Sequence, residues 1–163
     1  MAHKFLVKSA NVLAGTLTYS ESDRGFAFHP GGLDDLAERV GGEGRTSLVA
    51  DTLQLEVAVE TGRALYVWGY LPRESWGRTS MELPDSRIGG VIVELDDPPL
   101  EEAISVSIAR SNWEVFFDEK TGLVRVTRNQ FLSEELIEIA DAVHLGLAGA
   151  ELNSFWLEPE FVA

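Results

Sequence analysis

Alternation of apolar and polar positions is clearest over residues 53–60, where Leu and Val recur at every second position. A period of two residues is typical of a strand that buries one face. Thr61 and Gly62 follow as a turn, and residues 64–71 are apolar on both faces. We therefore predict a hairpin whose second strand is well buried.

The second of these strands carries three aromatic side chains at alternate positions, Tyr66, Trp68 and Tyr70. A strand presents such positions on one face. Since the opposite face is apolar as well, we expect the strand to be sandwiched in the core. The alternative is an open face, on which the three rings would form an aromatic stripe of the kind found at interface centres.

A second hairpin is predicted over residues 112–117 and 123–127, with Gly122 supplying the positive φ that ends its loop. The same two-residue period predicts two further strands and an N-terminal strand pair. These lie at residues 91–95 and 104–108, and at residues 5–7 and 12–19.

One short helix is predicted over residues 33–40, because its apolar positions recur with helical spacing. Gly41 and Gly42 end it. Residues 133–157 fit either a helix that begins at Ser133 or two strands joined by a turn near Gly149. We favour the strands, because Gly146 and Gly149 disfavour a long helix.

These elements predict an α+β chain that is mainly antiparallel β. The expected architecture is one curved or half-barrel sheet of about eight strands with one or two short helices. The 163 residues are expected to form a single domain, residues 1–163. A chain of this length can bury a core without disulfides, and the sequence has no Cys.

Charge is the strongest global signal, with 27 acidic against 13 basic side chains and a net charge of -14. Such a field disfavours nucleic acid and anionic membranes as partners and favours a basic protein. It is also a common device for solubility. The N-terminal residues lack the apolar run of a secretory signal, which predicts a cytoplasmic protein.

Catalytic and metal-binding motifs are weak in this sequence. Residues 42–47 only faintly imitate a phosphate-binding loop, and we expect a flexible turn there. His29 and His144 lack the companion ligands of a zinc site, so ordinary structural or exposed histidines are expected. Adjacent carboxylates point apart on regular elements, so they do not form catalytic pairs.

We expect no cofactor and no metal. An enzyme that uses carboxylates in a sheet cleft, to hydrolyse or bind a small molecule, is an alternative.

The connection over residues 72–90 is unusually long and carries a tryptophan among arginines. Such a composition is typical of interface anchors, whereas a packed loop would instead fold Trp76 onto the sheet. Both alternatives stand. The candidate partner-binding residues combine this loop with a nearby acidic segment, and they are Trp76, Arg73, Arg78, Asp96, Asp97, Glu101 and Glu102.

Three fragments, at residues 66–72, 117–126 and 147–159, share strand-and-turn patterns with a known class of proteins. They resemble small acidic bacterial proteins of the immunity type, which neutralise a co-encoded toxin. The resemblance implies a non-catalytic domain that binds a basic protein, and it assigns no site residues. The other alternative is a structural protein that forms homo-oligomers, such as a dimer.

Overall fold

A computed structural model describes residues 3–42, 44–95, 100, 106–108 and 112–163. These residues form mainly strands, together with one α-helix, α1 (Leu33–Val40), and a 3-10 turn at Arg73–Ser75. The strands in chain order are β1 (His3–Lys8), β2 (Gly15–Ser20), β3 (Gly25–Pro30), β4 (Arg45–Ala50), β5 (Leu53–Ala58), β6 (Ala64–Tyr70), β7 (Gly77–Arg78), β8 (Ser86–Ile88), β9 (Gly90–Leu95), β10 (Val106–Ser107), β11 (Glu114–Phe117), β12 (Val124–Thr127), β13 (Glu135–Ala140), β14 (Val143–Ala148), β15 (Glu151–Leu157) and β16 (Glu160–Val162).

The strands form three sheets. The first sheet has the order β10-β4-β5-β6-β3-β2-β16, the second has β7-β11-β12-β15-β14-β13-β8, and β1 pairs with β9 alone. Among the described strands, β10–β4, β11–β7, β13–β8 and β16–β2 are parallel, and the remaining pairs are antiparallel. The expectation of one curved or half-barrel sheet of about eight strands is therefore wrong, although the mainly β composition is confirmed. The two large sheets are mixed, and most of the described strand pairs are antiparallel. Long connections allow the parallel pairs, and strand patterns alone do not specify them.

The core lies between the two seven-stranded sheets, whose inner side chains form one continuous cluster. Val57 and Val67, on the predicted hairpin, are fully buried there. The small sheet contacts β6 of the first sheet and both β13 and β15 of the second. Its Phe5, Val91 and Val93 extend the same cluster, so all three sheets share one apolar interior.

Several predicted elements are confirmed. The helix over residues 33–40, the hairpin β5–β6 and the hairpin β11–β12 are present. Residues 135–157 form strands β13, β14 and β15, and Gly149 turns between the last two with a φ of 63°. The pattern predicts two strands here, and the structure has three because a turn at Asp141 and Ala142 divides the first of them. Strands therefore displace the helical alternative in this region.

Two local predictions are wrong. The N-terminal segments do not pair with each other, because β1 pairs with β9 and β2 pairs with β3. Residues 25–30 supply the partner that the sequence pattern did not reveal. The flexible turn expected over residues 42–47 ends early, since Arg45 already begins β4. Within the described part of the chain, no helix has the length and apolar character needed to cross a membrane.

Candidate functional site

The outer face of the first sheet is open at strand β6. Trp68 and Tyr70 are 37% and 48% exposed, while Val67, which directly precedes Trp68, is buried in the core. Tyr66 on the same outer face is half-buried. The expectation that β6 is sandwiched on both faces is therefore wrong, and the aromatic stripe is what the structure contains.

The signal for this open face lay in the neighbouring strand. Gln54 lies opposite Trp68 and Glu56 lies opposite Tyr66, so the outer face of β5 is polar. Side chains directly opposite each other share one face of a sheet. A polar outer face on β5 therefore indicated solvent beside the aromatic residues of β6.

A bulge lies near the start of β6. The register shifts between Glu56 and Val57, so that Tyr66 faces the first and Ala64 the second. Leu65 is the extra residue between them, and it is almost fully buried. A bulge of this kind re-aims side chains locally and breaks the strict alternation of faces.

The aromatic rings are held in place by a polar network. The Trp68 Nε1–H donates to Glu56 Oε1 at 3.0 Å, and Arg45 Nη1 donates to the Tyr66 hydroxyl oxygen at 2.8 Å. Arg45 Nε lies 3.6 Å from Glu56 Oε2. The ring of Phe28 stacks on Tyr66 with 5.2 Å between centroids. These contacts fix the rings before any partner arrives, which lowers the entropy cost of binding.

The phenol of Tyr66 remains neutral in this network. Burial raises its pKa above the ordinary value, and the negative charge of Glu56 raises it further. The positive charge of Arg45 acts in the opposite direction and is the weakest of the three effects. A neutral hydroxyl keeps a hydrogen that can be donated to an incoming group.

Helix α1 adds an aliphatic groove beside the aromatic stripe. The groove measures about 290 Å³, and its lining comprises Leu33, Leu36, Ala37, Val40, Gly41 and Arg45. Leu33 is 76% exposed, and no residue of the helix is fully buried. Arg45 belongs to both regions, because it lines the groove and binds Tyr66. We call the aromatic stripe and this groove together the open face.

Acidic side chains accompany the open face. Asp34 and Asp35 lie in the first turn of α1, and Glu38 follows on the same helix. Glu60 accepts a hydrogen bond from the Gly42 backbone N–H at 2.7 Å, just beyond the helix. Glu60 therefore places a negative charge beside Gly41 of the groove, whereas Asp35 and Glu38 lie on the other side of the helix.

Trp76, by contrast, is not available as an interface anchor. It is 8% exposed, and its ring packs 4.8 Å from Tyr19 and 5.3 Å from Phe117, measured between centroids. The exposed alternative is therefore wrong for this side chain. The 3-10 turn before it directs the ring between the two large sheets, where several aromatic rings enclose it.

The other predicted partner-binding residues have separate positions. Arg73 pairs with Glu21 and lies over the ring of Phe117, 4.7 Å from its centroid. Arg78 pairs with Glu119 at 3.0 Å. Neither belongs to the open face, and their role in binding stays a prediction. The acidic part of the predicted set lies outside the described residues, namely Asp96, Asp97, Glu101 and Glu102.

The outer face of the second sheet is covered. Residues 79–85, here called the strap, cross it from β7 at one edge to β8 at the other. Met81 and Leu83 of the strap pack against a buried cluster formed by Leu123, Leu136 and Trp156. The long connection predicted from the sequence therefore has a structural role in this stretch.

A buried carboxylate completes this cover. Glu134 Oε1 accepts from Arg125 Nη2 at 3.1 Å and from Trp156 Nε1 at 3.0 Å. Its Oε2 accepts from Asn153 Nδ2 at 2.7 Å. Gly146 makes room for it, because a Cβ there would lie 2.8 Å from the same oxygen. Three donors thus compensate a side chain that is 5% exposed.

His144 is buried beneath the same covered face, with both ring nitrogens occupied. Nδ1 lies 2.7 Å from Ser86 Oγ, and Nε2 lies 2.7 Å from Glu158 Oε1. His29 contacts Thr18 Oγ1 at 3.1 Å on the first sheet. In the described part of the chain, no three His, Asp or Glu side chains are grouped closely enough to hold a metal ion.

No protein-family model matches this chain, and no curated protein matches its sequence. The side chains of the open face and the charge of the chain are therefore the features that bear on function.

Proposed function

We propose that this chain is a non-catalytic binding domain that captures a basic protein on its open face. The observation that carries the proposal is the exposure of Trp68 and Tyr70 on a strand whose opposite side forms the core. Large exposed apolar patches mark interaction sites more often than chance. The resemblance to immunity-type proteins, which are stoichiometric inhibitors, supports the same function.

The chemistry of the open face suits a protein partner. Aromatic residues and arginine are enriched at interface centres, where Trp and Tyr lose little conformational entropy on binding. Trp68, Tyr70 and Arg45 supply these residue types. The aliphatic groove beside them is suited to an apolar side chain of the partner.

The charge of the chain favours a basic partner. A net charge of -14 accelerates association with a positive surface and rejects negative ones. Glu60, which lies against Gly41, and Asp34, which follows Leu33 in the chain, place part of that charge next to the groove. Acidic groups around an apolar centre correspond to the polar rim of a typical interface.

The test is affinity capture from the native host on three immobilised proteins: wild type, Trp68→Ala and Phe131→Ala. Phe131 is 87% exposed and lies away from β6, so it is a matched aromatic control. We expect wild type and the control to retain one basic protein in equal amounts. Trp68→Ala should weaken its binding by about 2 kcal/mol, or roughly thirtyfold. Equal retention by all three would contradict the proposal.

A second copy of the chain is the competing occupant of the open face. Light scattering after size exclusion distinguishes the two cases. A dimer that Trp68→Ala dissociates would assign the open face to self-association and support the homo-oligomeric alternative. A monomer, unchanged by the substitution, leaves the face free for the basic partner.

A second candidate function is hydrolysis, and the contacts of His144 favour it. In a serine hydrolase, a base removes the hydroxyl proton and a carboxylate orients the base. Ser86, His144 and Glu158 supply these three groups with both separations at 2.7 Å. Labelling with a fluorophosphonate tests it: reaction of wild type but not of Ser86→Ala supports hydrolysis, and an unreactive wild type excludes it.

A further inference from the structure

A polar cavity of about 360 Å³ lies on the side of α1 away from the groove. The end of β1, the chain after it, helix α1 and the turn between β5 and β6 all contribute to its lining. Its charged and polar lining includes Lys8, Asn11, Asp35, Glu38, Arg39 and Arg63. Three of the basic side chains of a strongly acidic chain therefore converge on one concavity.

Two guanidinium groups in this cavity meet at the same acceptor. Arg39 Nη1 and Arg63 Nη2 each donate to the backbone oxygen of Asn11 at 3.3 Å. Arg39 is further held by Asp35 Oδ1 at 2.9 Å and by the Val12 oxygen at 3.3 Å. Its side chain is 9% exposed, so this guanidinium is fixed and its charge is compensated.

Arg63 is in the opposite situation. No carboxylate among the described residues lies within ion-pair distance of it, and the same holds for Lys8. Burial lowers the pKa of Arg63 below its ordinary value, and the like charge of Arg39 lowers it further, whereas the negative charge of Asp35 raises it and is the weakest of the three effects. Arg63 is therefore a partly buried cation whose charge is only partly balanced, by Asp35, in the folded chain.

A small anion would balance the rest of that charge. Carboxylate and phosphate groups accept paired hydrogen bonds from a guanidinium, and such charge-assisted bonds are among the strongest in proteins. Among the described residues, the Arg63 guanidinium donates only to Asn11 and so has further donors, and the ammonium of Lys8 lies in the same cavity. The volume is at the lower end of the range for small-molecule sites.

We infer that this cavity is a binding site for a small oxyanion, a carboxylate or phosphate group held by Arg63 and Lys8 beside the fixed Arg39. Glu38 at its lining and the acidity of the chain as a whole disfavour large polyanions, so the ligand class is a small molecule and not a nucleic acid. The site uses none of the side chains of the open face.

The test is isothermal titration with inorganic phosphate and, separately, with citrate at low ionic strength. These two probes distinguish a phosphate site from a carboxylate site. We expect saturable binding of at least one of them. Arg63→Gln should weaken it at least about tenfold, whereas Arg24→Gln, which changes an exposed arginine paired with Glu74, should leave it unchanged.

Lys8→Gln keeps the test decisive if Arg63→Gln does not fold. Lys8 is exposed, so its replacement should leave the fold intact and still weaken binding severalfold. The inference is overturned if neither probe binds, or if the affinity is the same in wild type and in the folded cavity variants. Because the cavity and the open face are separate, capture of the basic protein should be unaffected by either substitution.

Discussion

The two large sheets treat their outer tryptophans differently. Trp156 on the second sheet and Trp68 on the first each donate the indole N–H to a glutamate oxygen at 3.0 Å. Trp156 is 5% exposed, with the guanidinium of Arg125 4.5 Å from its ring centroid and the strap beside it. Trp68 is 37% exposed. The same hydrogen bond is therefore found on a covered face and on an open one.

The difference arises because other segments of the chain cover the outer face of the second sheet but not the aromatic residues on the outer face of the first. The strap and the loop that carries Glu134 cover the outer face of the second sheet. On the first sheet, the described residues leave Trp68 and Tyr70 in contact with solvent. An aromatic surface that is pinned in place yet uncovered is what a binding protein presents to its partner.

Truncation of the two tryptophans gives the largest expected contrast. Trp156→Ala removes a buried ring and should lower the free energy of unfolding by about 3–5 kcal/mol. Trp68→Ala removes a ring that already contacts water and should cost about 1 kcal/mol. Urea unfolding of both variants measures the difference. Equal losses would mean that the two faces are equally covered in solution.

The paired glutamates give the next contrast. Glu134→Ala leaves Arg125, whose side chain is 12% exposed, without its carboxylate and should cost about 3 kcal/mol. Glu56→Ala breaks an ion pair whose Arg45 partner is 41% exposed, and it should cost less than about 1 kcal/mol. Thermal unfolding of each variant is the measurement. If Glu56→Ala destabilises the chain as much as Glu134→Ala does, the outer face of β6 is buried and the contrast is wrong.

Acid should loosen the covered face in a defined direction. Asp118 accepts the Met81 N–H at 2.9 Å and the Lys120 N–H at 2.9 Å, and these bonds lower its pKa below 3.8. A lowered folded-state pKa stabilises the fold above the ordinary value and loses this effect as pH falls through the folded value.

We therefore expect the thermal unfolding midpoint of wild type to decrease as the pH is lowered from about 4. The decrease should be smaller in Asp118→Asn, which lacks the titrating group. Asp23→Asn, at an exposed position, is the matched control and should follow wild type. Parallel curves for wild type and Asp118→Asn would show that this carboxylate does not anchor the strap.

The sequence pattern predicts which way a strand faces but not what covers it. The alternation over residues 53–60 placed Val57 in the core correctly, because burial of one face determines the period. The same pattern assigned Trp68 to the interior, and it did not decide whether Trp76 is exposed or packed on the sheet. The exposure of these side chains depends on segments that are distant in sequence. The strap covers the outer face of the second sheet, and it does not cover the outer face of the first.

The order of the strands in the sheets could not be predicted from the two-residue period either. The parallel pairs β11–β7 and β13–β8 arise because residues 72–90 cross a whole sheet and add a strand at each edge. Nothing in a two-residue period encodes the neighbour of a strand. The aromatic stripe was identifiable as an alternative, whereas its continuation into the groove of α1 depends on Arg45, which joins distant elements.

The most direct test is hydroxyl-radical footprinting of the chain alone and in complex with the captured basic protein. In the free chain, Trp68 and Tyr70 should be oxidised much faster than Trp156, in line with their exposure. In the complex, Trp68 and Tyr70 should become protected, while Phe131 keeps its rate. Trp68 and Tyr70 that are as protected as Trp156 in the free chain, or that stay reactive in the complex, would contradict a binding role for the open face.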